Sequence, residues 1–224
     1  MLDRCALEKG FRCWVGGMLR ALADGSVVAI DGKASRRSRL RGKQALHLVS
    51  AFVAGADLVL GQEACADKSN ELSAIPALLE AMMLKGVIAT IDAMGTHRSI
   101  AQAIREQQAH YVLAVKGNQP KLAESIASFF GTGQAQGWKH VPHSYVESVE
   151  KDHGRLELRR CWAFDQLQCL ANPRQWPDLK SFGVIEAERT IQGKTSRERR
   201  LYIGSIPAHA PTLNGSESRN ICAS

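Results

Sequence analysis

No run in this 224-residue chain is apolar for long enough to span a membrane. A secretion signal is not expected either, because Asp3, Arg4, Glu8, Lys9 and Arg12 interrupt any early apolar stretch. The six cysteines (Cys5, Cys13, Cys65, Cys161, Cys169 and Cys222) include no C-x-x-C pair and no zinc-ligand spacing. Reduced thiols in a cytoplasmic protein are the expectation, and disulfides are not. Acids are missing from one place in particular. Between 33 and 43 the chain carries Lys33, Arg36, Arg37, Arg39, Arg41 and Lys43 with no acid among them. Removing those 6 from the 29 basic residues leaves 23 against 22 acids, so the formal charge of +7 is almost entirely local. A concentrated cationic segment suits a phosphate-rich partner, and a solvated loop would account for it equally. Apolar content of 45% and charged content of 23% argue against global disorder, and the length allows one good core with a smaller appended module.

Periodicity divides the chain into segments. Phe11, Trp14, Met18, Leu19 and Leu22 have helical spacing, and Asp24-Gly25-Ser26 ends that segment. The run Val27–Asp31 is a short β-branched strand of the buried type. Ala45–Ala54 and Leu58–Ala66 read as two more strands, making an antiparallel meander. Leu72, Ile75, Leu78, Leu79, Met82 and Met83 predict a helix, with Asn70 as a suitable N-cap. A strand over Val87–Asp92, a helix over 97–108, a strand over His110–Lys116 and a helix over Lys121–Phe130 follow. Gly131-Thr132-Gly133 reads as the stop of that last helix. Residues 27–130 therefore read β-β-β-α-β-α-β-α, the order of a ribonuclease-H-like α/β sheet with flanking helices. From 144 to 164 and from 179 to 205 the pattern alternates as in strands, with a hairpin turn at Gly154.

Chemistry concentrates at two strand ends. Asp31 closes Val27-Val28-Ala29-Ile30, and Asp92 closes Val87-Ile88-Ala89-Thr90-Ile91. An aspartate in such a place is often only a turn former. In the order above, however, the first and fourth strands are neighbours, so both carboxylates would reach one rim and could share Mg²⁺ or Mn²⁺. Paired metals held this way stabilise the attacking and leaving oxygens of an in-line displacement. Lys116 and Asn118, in Lys116-Gly117-Asn118-Gln119, would hold a phosphate or simply form a polar turn. Gly193-Lys194-Thr195 is not a phosphate loop, because Glu188 stands where a glycine is required. His97 reads as a helix-start surface histidine. Asp152-His153-Gly154-Arg155 with Glu157 reads as a hairpin with charged outward faces. Arg189, Lys194, Arg197, Arg199 and Arg200 have the makings of a DNA-backbone face or of ordinary solvation.

Several blocks in order resemble the H-repeat-associated insertion-sequence transposases, a branch of the DDE transposases. They are Ala29-Ile30-Asp31-Gly32-Lys33, Ala45–Phe52, Asp67-Lys68-Ser69-Asn70-Glu71 with Ala74–Leu79, Thr90–Gly95, Tyr111–Gln119, and His153-Gly154-Arg155 with Glu157 and Arg159. The resemblance runs from about residue 10 to about residue 213. It implies a ribonuclease-H-like core that cuts and joins DNA with Mg²⁺ (or Mn²⁺) held by two aspartates and a glutamate. Asp31 and Asp92 match the first two acids, and Lys33, Arg36, Arg37, Arg39, Arg41, Lys43, Lys116 and Asn118 become candidate DNA contacts. The implied partners are terminal inverted repeats and target DNA, together with another copy or a full-length transposase.

Residues 1–26 are then the remnant of a helical region, 27–130 the catalytic core, 131–207 a β-rich insertion and 208–224 a divergent polar tail. The third acid should lie in a downstream helix resembling His-Trp-x-x-Glu-Asn. No such helix is expected after Pro207, and Glu217 has no periodic context that would let it substitute. A truncated, catalytically impaired transposase is the expectation. A non-catalytic DNA-binding remnant or regulator is the alternative.

Overall fold

A computed structural model of the chain describes residues 10, 17, 24–34, 47–53, 58–65, 71–80, 82, 84–152 and 155–214. Of the helix expected over 11–23 only residue 17 is described, and it is helical; the N-cap at Asn70 and the cationic side chains between 33 and 43 lie outside the described residues. The chain forms two compact units, one reaching Tyr111 and the other beginning at Val112.

In the first unit, β1 (Val27–Ala34), β2 (His47–Val53), β3 (Leu58–Cys65) and β4 (Ile88–Ile91) lie in the order β3-β2-β1-β4. The pairs β1/β2 and β2/β3 are antiparallel, and β1/β4 is parallel. That is the strand order expected of the ribonuclease-H-like reading. Val27 to Ile30 and Ile88 to Ile91 are buried without alternation. Continuous burial is what a parallel strand covered on both faces requires, and it explains why these segments read as unbroken apolar runs. Helix α1 (Glu71–Glu80) packs on β2 and β3 through Ile75, Leu78 and Leu79, and α2 (Arg98–Glu106) buries Ile100, Ala101 and Ile104. The strand starts are fastened together: Gly25 N donates to Gly86 O at 2.8 Å, Ile88 N to Ser26 O at 2.8 Å, and His110 N to Val87 O at 2.7 Å.

The second unit holds most of β5 (His110–Val115), then α3 (Pro120–Ala135), β6 (Ser144–Asp152), β7 (Arg155–Phe164), β8 (Ser181–Ile191), β9 (Lys194–Gly204) and the short α4 (Ala210–Asn214). Its sheet runs β5-β9-β8-β7-β6, antiparallel throughout. One side carries an aromatic core. Phe129 meets Phe164 and Phe182 edge-on at 5.1 and 5.2 Å, and Phe130 meets Trp162 at 5.0 Å. On the other side Leu213 of α4 seats on Gly183, where a Cβ would collide with it.

Two expectations are corrected here. Helix α3 does not stop at Gly131 but continues to Ala135. Gly133 is needed inside it for packing: a Cβ there would overlap the Trp138 ring, which lies 5.1 Å from Phe130 and 5.2 Å from Phe164. The segment after Pro207 is not wholly an irregular tail either. Its first residues form α4, where Ala210 and Leu213 are buried and Ala210 N donates to Ser144 Oγ at 3.0 Å.

The Gly133 contact predicts that Gly133→Ala costs about 1–3 kcal/mol by overpacking, although alanine favours helix. Urea unfolding of the two proteins checks this, and an equal or more stable variant would refute the packing argument.

Candidate active site

The parallel register of β1 and β4 ends on the pair Ile30 and Ile91. Asp31 is the next residue of β1 and Asp92 the first residue after β4, so the two follow paired residues at one rim. Asp31 is half-buried, still within β1, and faces Ser50 across the antiparallel pair with β2. Asp92 is exposed and begins a tight 3₁₀ turn over Ala93–Gly95. Its Oδ1 accepts from Met94 N at 3.1 Å and Gly95 N at 3.3 Å, and its backbone carbonyl accepts from the buried Thr96 hydroxyl at 3.2 Å. Those bonds fix the carboxylate. Among the described residues Oδ2 has no hydrogen-bond partner.

Two neighbouring carboxylates with hard oxygen donors suit Mg²⁺ or Mn²⁺, which take few protein ligands and keep water for the rest. No group of three or more acids, histidines or cysteines converges among the described residues.

The turn also depends on a glycine. Gly95 is buried, and a Cβ there would overlap Ile91 Cγ2 and press on Ile75. The turn that orients Asp92 therefore needs glycine at this place. The usable signal was the spacing, an aspartate three residues before a glycine at a strand end. His97 is the N-cap residue of α2 and makes no side-chain cap bond.

The remaining candidate residues divide otherwise. Lys33 belongs to β1, but its side chain and those of Arg36, Arg37, Arg39, Arg41 and Lys43 lie outside the described residues. Lys116 and Asn118 belong to the second unit, where Asn118 Oδ1 accepts from Lys116 N at 3.4 Å in the turn after β5. The basic set of β8 and β9 is not one face. Arg197 pairs with Glu188, and Arg199 pairs with Glu186 while lying over the Phe130 ring. Arg189 pairs with Glu157, and Arg200 with Glu198. The pleat sends Arg197 and Arg199 to one side of the sheet and Arg200 to the other.

Glu157 corrects the outward-facing hairpin. It is only 3% exposed and accepts from Arg155, from Arg159 Nε at 2.7 Å and from Arg189 Nε at 3.3 Å. Burial works to raise its pKa, but hydrogen bonds from Arg155, Arg159 and Arg189 prevail and hold the carboxyl down at about 2. A carboxylate so fully engaged is a poor metal ligand.

With this geometry in place, sequence comparison decides the family. The family model described as a transposase DDE domain matches residues 22–190. The chain belongs to the DDE transposase family. A protein of Xanthobacter autotrophicus, described only by its position in the 3′ region of dhlA, is 40% identical over 213 residues, covering 93% of this chain and 70% of that protein. YncI of Escherichia coli strain K12, a candidate transposase by its name, is 42% identical over 160 residues, 70% of this chain and 63% of YncI. YhhI of the same strain, an H-repeat-associated candidate transposase by its name, is 38% identical over 191 residues, 81% of this chain and 49% of YhhI. The chain thus spans between about half and about seven-tenths of these relatives. Among solved structures, a piggyBac transposase synaptic complex with hairpin DNA aligns with 89% of this chain and 39% of its own, at a TM-score of 0.44 and 9% identity. No helix among the described residues of the DDE transposase chain is long and apolar enough to cross a membrane.

Two expectations follow. Gly95→Ala should destabilise the first unit by about 1–3 kcal/mol and loosen the turn around Asp92, seen as faster amide exchange at Met94 and Gly95. Unchanged protection there would contradict the role given to Gly95. Glu157 has a folded pKa below its ordinary value of 4.5, so its stabilisation is complete above about 4.5 and is lost as pH falls towards 2. Urea stability of the parent should exceed that of Glu157→Gln at pH 6, and the gap should close between about pH 4.5 and 2. A gap that stays constant over that range would show that the carboxylate is not held as described.

Proposed function

We propose that this chain supplies the first two acids, Asp31 and Asp92, of a metal-dependent DNA transposase centre, which cuts DNA at the ends of an insertion sequence and joins it to target DNA. The supporting observation is the parallel pairing of β1 with β4, which brings these two residues of a DDE-family chain to adjacent strand ends. A divalent ion such as Mg²⁺ or Mn²⁺, when bound there, supplies the positive charge that in-line phosphoryl transfer draws on. The protein's own part is to hold the oxygen donors still. Asp92 is fixed by the N–H groups of Met94 and Gly95, and Asp31 by its place inside a buried strand. Lys33, Arg36, Arg37, Arg39, Arg41, Lys43, Lys116 and Asn118 are the proposed contacts to DNA phosphates, which position a substrate without reading its bases.

A second reading gives the chain a non-catalytic part. On that reading the chain binds DNA, or associates with a longer transposase, without cutting.

Titration of Mn²⁺ into the protein and into Asp31→Asn/Asp92→Asn tests the first part. A saturable site lost in the double variant is the expected result, and equal weak binding by both would remove the proposed centre. Incubation with Mn²⁺ and duplex DNA taken from the borders of the chain's own gene separates the two readings. Nicking that disappears with Asp92→Asn supports the catalytic one, and salt-sensitive binding without any product supports the other.

A further inference from the structure

The sheet of the second unit ends on β6, and among the described residues no strand lies against its outer side. Such an edge offers a row of backbone N–H and C=O groups to any strand that fits it. β6 is regular enough to be extended. It contains no proline, and it pairs with β7 from Ser144 to Asp152 without a bulge. One face of the strand shows Tyr145, Glu147, Val149 and Lys151. Tyr145 is 46% exposed beside the Trp162 ring, and Val149, opposite Leu158, is 61% exposed. Leu156, opposite Lys151, is 45% exposed. Apolar surface therefore reaches the rim of the sheet.

The charges decide what fits there. A second copy can extend the sheet antiparallel about a two-fold axis normal to it, and the pleat requires that residues opposite one another point the same way. Such an axis passes through one residue of β6. Of the axes through the middle of the strand, those at Glu147 and Glu150 set a glutamate against its own copy. An axis at Ser148 sets Glu147 against Val149 of the second copy, and Val146 against Glu150 of the second copy. An axis at Val149 sets valine against valine, and Glu147 against Lys151 in both directions. In that register Leu158 and Val149 of each copy form one apolar row across four strands. On the other face it places the Ser148 hydroxyl beside Glu150 of the second copy, and Val146 beside Asp152 of the second copy. Glu147 accepts from Tyr145 and Arg160 yet stays 42% exposed, which leaves its carboxylate room for an ammonium group. Lys151 is exposed as well.

We propose that β6 is a docking edge for a second copy of this chain, paired antiparallel about Val149 so that the two sheets continue as one. The proposal rests on this edge and not on the transposase reading. Residues 146–152 of each copy meet in this register, fewer than the roughly 20–30 a side of a stable interface, so association is reversible and concentration-dependent.

Sedimentation equilibrium of the whole chain, from low to high micromolar, is the test. The parent should move from one chain of 24.5 kDa towards twice that mass. Val149→Lys sets two ammonium groups face to face on the axis and should raise the dimer Kd about tenfold or more. Lys151→Glu and Glu147→Lys should each do the same, because each sets like charges opposite one another twice. An equimolar mixture of these two variants restores both opposite-charge pairs and should dimerise about as tightly as the parent.

Near-UV circular dichroism establishes that the variants are folded. Glu147 also holds Arg160, so if Glu147→Lys loses its native spectrum, Lys151→Glu carries the comparison. Added salt should then recover its dimer by screening the facing glutamates, and a loss that salt does not reverse would count against the register. A parent that stays monomeric over the whole range would overturn the proposal. A dimer that Val149→Lys and Lys151→Glu leave unchanged would overturn it too, as would a mixture of folded charge variants that stays monomeric. Mn²⁺ binding at Asp31 and Asp92 is read separately, so failure of either result leaves the other standing.

Discussion

The parallel pairing of β1 with β4 turns two aspartates 61 positions apart in the chain (92 minus 31) into neighbours, and the rest of the first unit serves to keep that pairing in register. A parallel pair has no tight hairpin to set its register, so other contacts must set it. Here burial on both faces does much of this, since slipping either strand would move Val28, Ile30, Ala89 or Ile91 out of place. The hydrogen bonds from Gly25 to Gly86 and from Ile88 to Ser26 fix the other end of the pair. With both starts fixed and both strands running the same way, the two ends arrive together. The antiparallel additions β2 and β3 then close the other side of β1 and leave its carboxyl end as a rim.

The second unit meets a different constraint, because its strands carry many charges on a sheet that also holds an aromatic core. The pleat resolves this along each strand. In β7, Trp162 and Phe164 are buried near one end, while Glu157, Arg159 and Arg160 lie towards the other. Arginines on both faces are matched to acids, as in Arg160 with Glu147 and Glu188 on one face and Arg200 with Glu198 on the other. Counting basic residues therefore overstates the field that a ligand would meet. What matters is which acids face the arginines across the strands, as Glu150 and Asp152 of β6 stand opposite Glu157 and Arg155.

Much of the architecture was legible in the sequence, for a physical reason. Buried parallel strands must be apolar without interruption, so Val27–Ile30 and Val87–Ile91 stood out, and the aspartates that end them were conspicuous by contrast. Helix α3 was misread at its end because Gly131 and Gly133 look like a stop, and only the position of Trp138 reveals why glycine is needed inside the helix. Glu157 was misread for the opposite reason. In a strand of alternating charges, a glutamate between two arginines reads as solvent-facing, and its burial depends on Arg189, which arrives from another strand. The division of the β9 arginines between two faces follows from the period of two, but the partners of Arg197 and Arg199 come from β8 and cannot be read along one strand. Gly95 was within reach, since its turn is local to Asp92.

Both charged centres solve one problem in complementary ways. Phosphoryl chemistry gains most from charges already in position, because reorienting them during reaction forfeits the advantage over water. Asp92 is fixed by backbone N–H donors, which leave its negative charge available to a cation. The three guanidinium groups are fixed by one buried carboxylate, and Glu150 of β6 stands directly opposite it. Burying an ion cluster seldom stabilises a fold more than apolar packing of the same volume would, so stability alone is a weak reason for one. Orientation is the better one. A lone arginine on a strand surface keeps its rotamers, whereas one tied to a buried acid presents the same edge each time, and the side-chain entropy is lost on folding.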